Sequence, residues 1–559
     1  MKKILIGLLL SALLFSLAAC GGTGDPSVQP SKDAQPTATE SAQPTTSAPT
    51  GQPTHAPSTA PTETPTTAPT SNPTAAPTGA PAETAKVTLV SDGNEQIVSV
   101  PVGEEIGTLP AAEKENMDFA GWYCGNEKLT ETRVFAADEA MIFTAVFVNR
   151  NEIRFAGNVV YSGAAETDGT TATITAAGEY IVTGQSDNGA LVVNAPAATV
   201  QLTLENLRLT SLTAAPISAL DADKVTAVLP AGTKSILTDA DRAGEKPRAA
   251  LHAKCDLTVK GEGALDICGN NASAIRCGAD LKIETLTLTA TAKDDCISAD
   301  GELTLAANIT VTSGGDGIKT EYYNAEKAKK GNVVLLSGTV NITSAKDGVQ
   351  AERDFSMLGG TLTVVAGGGS ELVSAGTGDG IKANGAFSVT GGKIEVNARE
   401  DGMKAGGIAT DKVGMTYVLA EPMTLSGCEV TVASGVDGIK SDATFTAENA
   451  TLTVTAGNER NNAATSTVKQ RGIKGKGAVA FTNVTLNVSA YYDGVNSDGD
   501  VTFTGGTAEV RSIRKDAVQG LTVKLIGATL TCRAKRADKA TPVNLVKDET
   551  SVFTALGLN

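Results

Sequence analysis

One short motif recurs along the C-terminal half of the chain and limits the folds open to it. The motif joins an aspartate, a small residue, an aliphatic residue and a polar residue, and it begins at Asp295, Asp316, Asp347, Asp379, Asp401, Asp437, Asp493 and Asp516. With a variant copy at Arg471 included, successive copies are 21 to 23 residues apart, or 31 to 36 where a loop intervenes. Such a period is typical of a solenoid, in which equivalent positions stack in columns.

Each repeat predicts three strands. The unit from Asp379 to Asn397 alternates apolar and polar residues in three short segments with turns between them, which indicates one rung of a parallel β-helix. The aliphatic position of the motif predicts a stacked core column, formed by Leu251, Ile275, Ile297, Ile318, Val349, Ile381, Met403, Ile439, Ile473, Val495 and Val518. Residues 153–241 lack the aspartate and are expected to form the first rungs and the cap.

The N-terminal residues are typical of an exported chain. Residues 1–20 contain Lys2, Lys3, an apolar run and Leu17-Ala18-Ala19-Cys20, and they resemble a bacterial lipoprotein signal peptide. The resemblance implies a lipidated Cys20 that anchors the protein to the cell membrane on its extracellular side, the alternative being an ordinary secretory signal. Residues 21–85 are rich in proline and threonine and predict a disordered, semi-extended linker.

Residues 86–150 form a separate small module in the sequence. Its strands at 86–90, 96–100 and 142–148 surround the sequence Phe119-Ala120-Gly121-Trp122-Tyr123. The arrangement resembles the internalin-type B-repeat, which implies a β-grasp fold and a spacer or adhesion role. Trp122 is expected in the core of this module, the alternative being a ligand platform.

Residues 151–547 resemble a bacterial family of carbohydrate-binding β-helix proteins related in fold to pectate lyases. The resemblance rests on D-G-I-K rungs that are followed by a G-G-x-[L/I]-x-V segment, as in Asp379 to Val396. It implies an all-β, right-handed parallel β-helix, calcium sites and binding of plant cell-wall polysaccharides. Acidic polymers such as polygalacturonate are the expected ligands, with cellulose as a further candidate.

The aspartates form a second predicted column. Carboxylates on adjacent rungs would lie about 4.7–4.9 Å apart, so their repulsion calls for cations, and Ca²⁺ binds oxygen ligands. The candidate calcium ligands are Asp294, Asp295, Asp316, Asp347, Asp379, Asp401, Asp437, Asp493 and Asp516. In the alternative, the aspartate bonds nearby backbone amides and the glycine supplies a positive φ in a turn. Arg471 replaces the aspartate in one copy and is expected to interrupt the column.

The last position of the motif predicts an outward column of lysines and amides. Its members are Lys319, Gln350, Lys382, Lys404, Lys440, Lys474, Asn496 and Gln519. On a chain of net charge −16, this basic stripe, with Arg471 beside it, suits an extended polyanion. In the alternative, the lysines only neutralise the aspartates.

Four insertions are expected to border this stripe and make a cleft. They span residues 320–331 and 406–422 after the motif, and 367–378 and 457–470 before it. Tyrosines in or beside the insertions are candidates for stacking on sugar rings; they are Tyr322, Tyr323, Tyr417, Tyr491 and Tyr492.

Other function classes are less compatible with the sequence. His55 and His252 are the two histidines, which argues against zinc sites and histidine-based nucleophilic catalysis. A calcium-dependent lyase with Arg471, Lys440 or Lys474 as base, and an adhesin that binds a protein, remain alternatives to non-catalytic carbohydrate binding. We expect a monomer that binds no nucleic acid.

Overall fold

The structure is a computed structural model. It describes residues 83–558 except 137–138, 244, 247–248, 328–329, 372–376 and 458–467. The predicted signal peptide, Cys20, and the linker apart from its last residues therefore lie outside the described residues. Within the described part of the chain, no helix is both long enough and apolar enough to cross a membrane.

The N-terminal module is a five-stranded mixed sheet with a small core of its own. Its strands are Thr84–Ser91, Asn94–Pro101, Met117–Cys124, Glu127–Lys128 and Ala140–Asn149. The first strand pairs antiparallel with the second and parallel with the last. Trp122 is 5% exposed, and its Nε1 donates a hydrogen bond of 2.7 Å to the carbonyl oxygen of Pro110. The ring therefore belongs to the core, as expected for so small a domain.

The rest of the described chain is a solenoid that contributes one strand of each rung to a 15-stranded sheet, the first sheet. Its strands are Glu166–Asp168, Thr171–Ile174, Ala190–Asn194, Ile217–Asp221, Ala249–Ala253, Ser273–Cys277, Ile297–Ala299, Ile318–Thr320, Val349–Ala351, Ile381–Ala383, Met403–Ala405, Ile439–Ser441, Ile473–Gly475, Val495–Ser497 and Val518–Gln519. All neighbours pair parallel except the first two strands.

A 28-stranded sheet, the second sheet, holds the remaining strands of the rungs. Its strands are Glu152–Ala156, Val159–Ser162, Gly178–Ser186, Thr199–Ser211, Lys224–Leu229, Lys234–Asp239, Asp256–Gly261, Ala264–Gly269, Leu281–Ala292, Leu303–Ser313, Val333–Ser337, Thr339–Ser344, Phe355–Met357, Thr361–Ala366, Phe387–Val389, Gly392–Ala398, Met423–Ser426, Cys428–Ser434, Phe445–Glu448, Thr451–Ala456, Val479–Thr482, Thr485–Ala490, Val501–Thr504, Thr507–Ser512, Val523–Ile526, Thr529–Ala534, Leu545–Lys547 and Val552–Gly557. A hairpin of Gly407–Thr410 and Thr416–Leu419 and a short helix, Ala537–Ala540, complete the elements.

The core column has the register that the motif predicts. Ile318 pairs with Val349, and Val349 pairs with Ile381, so the aliphatic residues of successive rungs lie directly above one another. Every member of the column is 2% exposed or less. The described chain from residue 151 onward is thus an almost all-β solenoid of stacked, mostly parallel strands. Its right-handed sense and the β-grasp identity of the N-terminal module stay predictions.

The glycine of the motif provides space rather than a left-handed backbone. A Cβ at Gly438 would lie 2.3 Å from Cγ1 of Val454 and 2.5 Å from the carbonyl oxygen of Gly472. The same collision recurs along the column, and φ stays outside the positive region. The expectation that this glycine supplies a positive φ is therefore wrong. A valine of the same repeat and a backbone oxygen of the next repeat pack against the glycine, which leaves no room for a methyl group.

Candidate functional site

The lysine column runs along the outer surface of the first sheet. Lys319 pairs with Gln350, and the register continues without a shift through Lys382 and Lys404. It then continues through Lys440, Lys474, Asn496 and Gln519. Parallel pairing of equivalent residues places these side chains about 4.8 Å apart along the solenoid. The same column extends toward the N-terminus through Ser298, Arg276 and His252, which the sequence motif alone did not identify.

The aspartate column makes a ladder of hydrogen bonds with the backbone. Oδ1 of Asp379 accepts the amide N–H of Asp401 at 3.1 Å, and Oδ1 of Asp401 accepts that of Asp437 at 3.1 Å. The same bond joins Asp295 to Asp316, Asp316 to Asp347, Asp347 to Asp379 and Asp493 to Asp516. Asp437 is 1% exposed. Each of these carboxylates therefore accepts a hydrogen bond from the amide of the residue that begins the next copy of the motif. This is the bonding to nearby backbone amides that the alternative prediction assigned to the aspartate.

The lysines of one column contact the aspartates of the other. Lys440 Nζ lies 3.1 Å from Oδ2 of Asp401, and Lys404 Nζ lies 3.6 Å from Oδ2 of Asp379. Lys319 Nζ lies 3.2 Å from one carboxylate oxygen of each of two neighbours, Asp295 and Asp316, and Lys382 is 3.9 Å from Asp347. Lys474 instead binds Asp498 at 2.6 Å. The ammonium groups thus neutralise the buried carboxylates while their side chains stay partly exposed.

Burial and mutual repulsion raise the pKa of four carboxyl groups of the column, those of Asp347, Asp379, Asp437 and Asp493. Burial, with Asp379 nearby, raises the pKa of Asp347 to about 6, against the lowering effect of Lys382. Burial also raises the pKa of Asp493 to about 6 and shifts that of Asp437 upward. Burial alone would lower the pKa of Lys440, but the carboxylates of Asp401, Asp437 and Asp442 together outweigh burial and raise it.

Arg471 stands where the motif has an aspartate, and it still binds the aspartate of the preceding rung. Its Nε and Nη2 donate to Oδ1 and Oδ2 of Asp437 at 3.1 and 2.7 Å, and its amide also donates to Oδ1. The arginine offers no carboxylate to the next rung, so the series of carboxylates is interrupted there and resumes at Asp493. A two-pronged guanidinium pair of this kind holds the side chain in place.

A calcium ion bridging the aspartate column would need carboxylate oxygens that already have partners in several rungs. The Oδ1 atoms accept amides, and lysines lie against Oδ2 in the rungs from Asp295 to Asp401, where a bridging ion would have to bind. Among the described residues, no three histidine, cysteine, aspartate or glutamate side chains are placed to hold a metal ion. Asp294 is half-exposed and lies 3.8 Å from Lys346, and Asp516 lies 3.1 Å from Lys539. The lysine-paired rungs therefore fit calcium poorly.

The hairpin forms a wall along the edge where the strands of the first sheet end. Lys412 Nζ lies 2.8 Å from Oδ2 of Asp300, four rungs before the base of the hairpin. The amide of Thr410 donates to Glu352, and its carbonyl oxygen accepts the amide of Tyr323 at 2.8 Å. Four rungs measure about 19 Å, and a strand of six residues measures about 20 Å. The hairpin therefore lies along the solenoid and flanks its outer columns.

The predicted tyrosines do not form a single cluster. Tyr323 and Tyr417 pack with ring centroids 5.0 Å apart, and Lys412 lies over the ring of Tyr322 at 5.3 Å. Tyr491 and Tyr492 come just before the strand Val495–Ser497 and therefore lie at the edge of the first sheet opposite the hairpin. Lys515 Nζ lies 5.7 Å from the centroid of the Tyr492 ring. All five are partly buried. Of the insertions before the motif, residues 372–376 and 458–467 lie outside the described residues.

A cleft opens beside the base of the hairpin, on the lysine column. Its volume is about 450 Å³, and its lining comprises Lys382, Asn384, Lys404, Gly406, Gly407, Ile408, Lys440, Asp442 and Lys476. A Cβ at Gly406 would lie 2.5 Å from Cβ of Asp442, and one at Gly407 would lie 2.7 Å from Oδ1 of Asn384. Asn384, Asp442 and Lys476 were not predicted, although each lies two residues after a lysine of the column, on the same side of its strand.

His252 and the cysteines contribute no second site. Burial, followed by the charges of Arg276 and Lys254, lowers the pKa of His252 to about 4, so the ring is neutral. Its Nδ1 has no hydrogen-bond partner among the described residues. Cys255 and Cys277 are buried, and burial raises the pKa of both thiols.

Comparison with known proteins identifies the family to which the chain belongs. A family model described as carbohydrate-binding domain-containing protein matches residues 168–416 and 372–517. A carbohydrate-binding domain-containing protein of Acetivibrio thermocellus is 31% identical over 202 residues, which are 35% of this chain and 70% of that protein. A solved structure of a polysaccharide lyase-like protein from C. thermocellum, a gadolinium derivative, is 28% identical and covers 43% of this chain and 96% of that one, with a TM-score of 0.39. The chain belongs to the family of carbohydrate-binding domain-containing proteins.

Proposed function

We propose that this chain binds an acidic polysaccharide, without catalysis, in the cleft between the lysine column and the hairpin. The observation that carries the proposal is the cleft itself, where four partly exposed lysine side chains lie beside a protein wall. The residues of the cleft fall within the segments that match the family. Ammonium and amide groups donate hydrogen bonds to carboxylate and hydroxyl oxygens, so the lining suits uronic-acid polymers such as polygalacturonate.

The cleft lies within a longer floor, which suits a polymer better than a single sugar. The lysine column spans five rung steps from Lys319 to Lys474, or about 24 Å. Equivalent donors repeat along this length in a straight line. A chain of repeating sugars laid along the solenoid would meet a similar group on each rung. Tyr322 follows the strand of Lys319, and Tyr492 precedes the strand after that of Lys474, so one tyrosine lies toward each end of the floor.

A lyase reaction is disfavoured by the protonation of the candidate bases. A general base must lose its proton near the working pH, whereas nearby carboxylates raise the pKa of Lys440 and of Arg471. Arg471 is also held by both oxygens of Asp437. Lys474 is 10% exposed and bound to Asp498. Each candidate base is thus committed to a carboxylate.

The proposal also includes a membrane anchor and a structural ion. Lipidation of Cys20 and the proline-rich linker would hold the solenoid outside the cell on a membrane anchor. We retain calcium as a structural ion near Asp493, whose rung carries Asn496 in place of lysine. Binding as proposed does not depend on that ion.

Isothermal titration calorimetry with polygalacturonate fragments tests the proposal. We expect Lys440→Gln and Lys476→Gln to weaken binding about fivefold each, because each removes one charge-assisted hydrogen bond. Lys393→Gln is the matched control, since Lys393 is 42% exposed on the second sheet. Absence of binding by the wild-type protein, with and without a chelator, would refute the acidic ligand. Retention of a protein partner instead would favour the adhesin, and a rise in absorbance near 235 nm, a general property of unsaturated uronides, would reveal a lyase.

A further inference from the structure

The four lysines of the cleft are each already paired with a carboxylate. Lys440 is 3.1 Å from Asp401 and Lys476 is 3.0 Å from Asp442. The two remaining pairs are Lys404 with Asp379 at 3.6 Å and Lys382 with Asp347 at 3.9 Å. Four cations thus face four anions, so the floor of the cleft is rich in hydrogen-bond donors but carries little net charge. A polymer with a full negative charge on every ring would lose hydration there without meeting an equal positive charge.

The wall of the cleft is apolar and exposed. Ile408 lines the cleft and is 61% exposed, and its cross-strand partner Val418 is 81% exposed. Residues directly opposite in an antiparallel pair project from the same face, so the two side chains form one surface. Ala409, which projects from the other face, is fully buried. The apolar surface is therefore continuous with the cleft.

We propose that the cleft selects a polyuronate in which part of the carboxyl groups are methyl esters. This inference rests on the proposed function and names the ligand more closely. An ester removes the charge that the neutral floor does not compensate, and its carbonyl oxygen still accepts a hydrogen bond from a lysine. Its methyl group contacts Ile408 and Val418 and removes apolar surface from water.

The glycines at the base of the hairpin make this contact geometrically accessible. Gly406 has φ +88°, and a side chain there would collide with Asp442. Gly407 lies against the side chain of Asn384. Both positions therefore keep the space between the wall and the lysine floor open. An ester group that enters this space meets lysine on one side and Ile408 on the other.

Titration calorimetry with two batches of one uronide oligomer, fully acidic and half methyl-esterified, tests the inference. We expect the wild-type protein to prefer the esterified batch by about fourfold for each methyl group buried. Ile408→Ser with Val418→Ser is expected to bring the ratio of the two affinities close to one, because it should weaken binding of the esterified batch more than binding of the acidic batch. Both side chains are exposed, so the fold should be retained. Val546→Ser, 58% exposed on the last rungs, is the control, and Ile408→Leu should retain the preference.

Two results would overturn the inference in different ways. Equal affinity of the wild-type protein for both batches, or equal losses for both in the double-serine variant, would refute ester selection and leave the acidic-polysaccharide proposal intact. No binding of either batch would refute the proposed function and this inference together. A preference for the esterified batch that Ile408→Leu keeps and the double-serine variant loses would support the assignment of the wall.

Discussion

The role of the aspartate ladder can be tested at Asp401, where the contacts are best defined. Its Oδ1 accepts the amide of Asp437 at 3.1 Å and its Oδ2 accepts a hydrogen bond from Lys440 Nζ at 3.1 Å. Alanine would remove both bonds and leave a buried amide without its acceptor. Asparagine would keep an acceptor for that amide, lose the ion pair and relieve the repulsion that raises the pKa of Asp379.

The two substitutions are therefore expected to differ in cost. Breaking a buried ion pair by removing one partner costs about 3–5 kcal/mol, and relief of carboxylate repulsion reduces that cost. We expect Asp401→Ala to lower the free energy of unfolding by about 3 kcal/mol and Asp401→Asn by about 1 kcal/mol. Asp294→Ala, at a half-exposed carboxylate outside the ladder, should cost less than about 0.5 kcal/mol.

Hydrogen exchange is the most direct assay because solenoids unfold in local units. The amide of Asp437 should exchange much faster in Asp401→Ala than in Asp401→Asn, while amides of distant rungs should be unaffected. Urea unfolding of all three variants gives the corresponding free energies. Equal destabilisation by alanine and asparagine would show that the carboxylate does not act through the backbone amide, and the ladder interpretation would then fail.

Three further predictions concern the same columns. Gly438→Ala should destabilise the protein by about 2–3 kcal/mol, because its Cβ would meet Val454 at 2.3 Å, and Val454→Ala should recover part of the loss in urea unfolding. Asp347 and Asp493 have a pKa of about 6 in the folded state, above the ordinary value of 3.8, so they favour folding below about pH 4 and this contribution is lost as the pH rises through 6. The unfolding free energy should therefore gain about 1 kcal/mol from each group between pH 7 and pH 5, and a fall measured over this range would contradict the shifts. Lys404→Met removes the lysine that pairs with Asp379 and leaves Asp401 with Lys440, so added Ca²⁺ should raise its Tm more than that of the wild-type protein; an equal response would argue against ion replacement.

The sequence was sufficient to predict the register of the solenoid. Parallel stacking places equivalent residues of each repeat in line, so Ile318, Val349 and Ile381 had to share a column once the repeat was recognised. Strand residues alternate between the two faces, which put Lys319 and Lys382 on the outside. Both expectations depend only on local periodicity and on the length of the repeat, and these are properties that a sequence states directly.

The wall of the cleft could not be predicted from the repeat, because it depends on contacts between residues that are far apart in the sequence. Lys412 reaches Asp300, more than a hundred residues earlier, because the hairpin turns along the solenoid instead of away from it. The length of the insertion indicated a loop beside the lysines, but the direction of the loop is decided by tertiary contacts such as the amide of Thr410 on Glu352. The apolar wall made by Ile408 follows from that direction.

The contacts between the lysine and aspartate columns change the function that the motif alone suggests. From the sequence, the two charged positions of the motif predict two separate functions. The aspartates predict an ion site, and the lysines predict a site for a polyanion. In the structure Lys440 contacts Asp401, which belongs to the preceding rung, so the lysine of one repeat neutralises the aspartate of another. Since each carboxylate also binds the next amide, every rung supplies charge and hydrogen bonds to its neighbours. A ligand therefore meets a floor whose charges are already balanced, and its affinity should depend on hydrogen bonds and apolar contact more than on net charge.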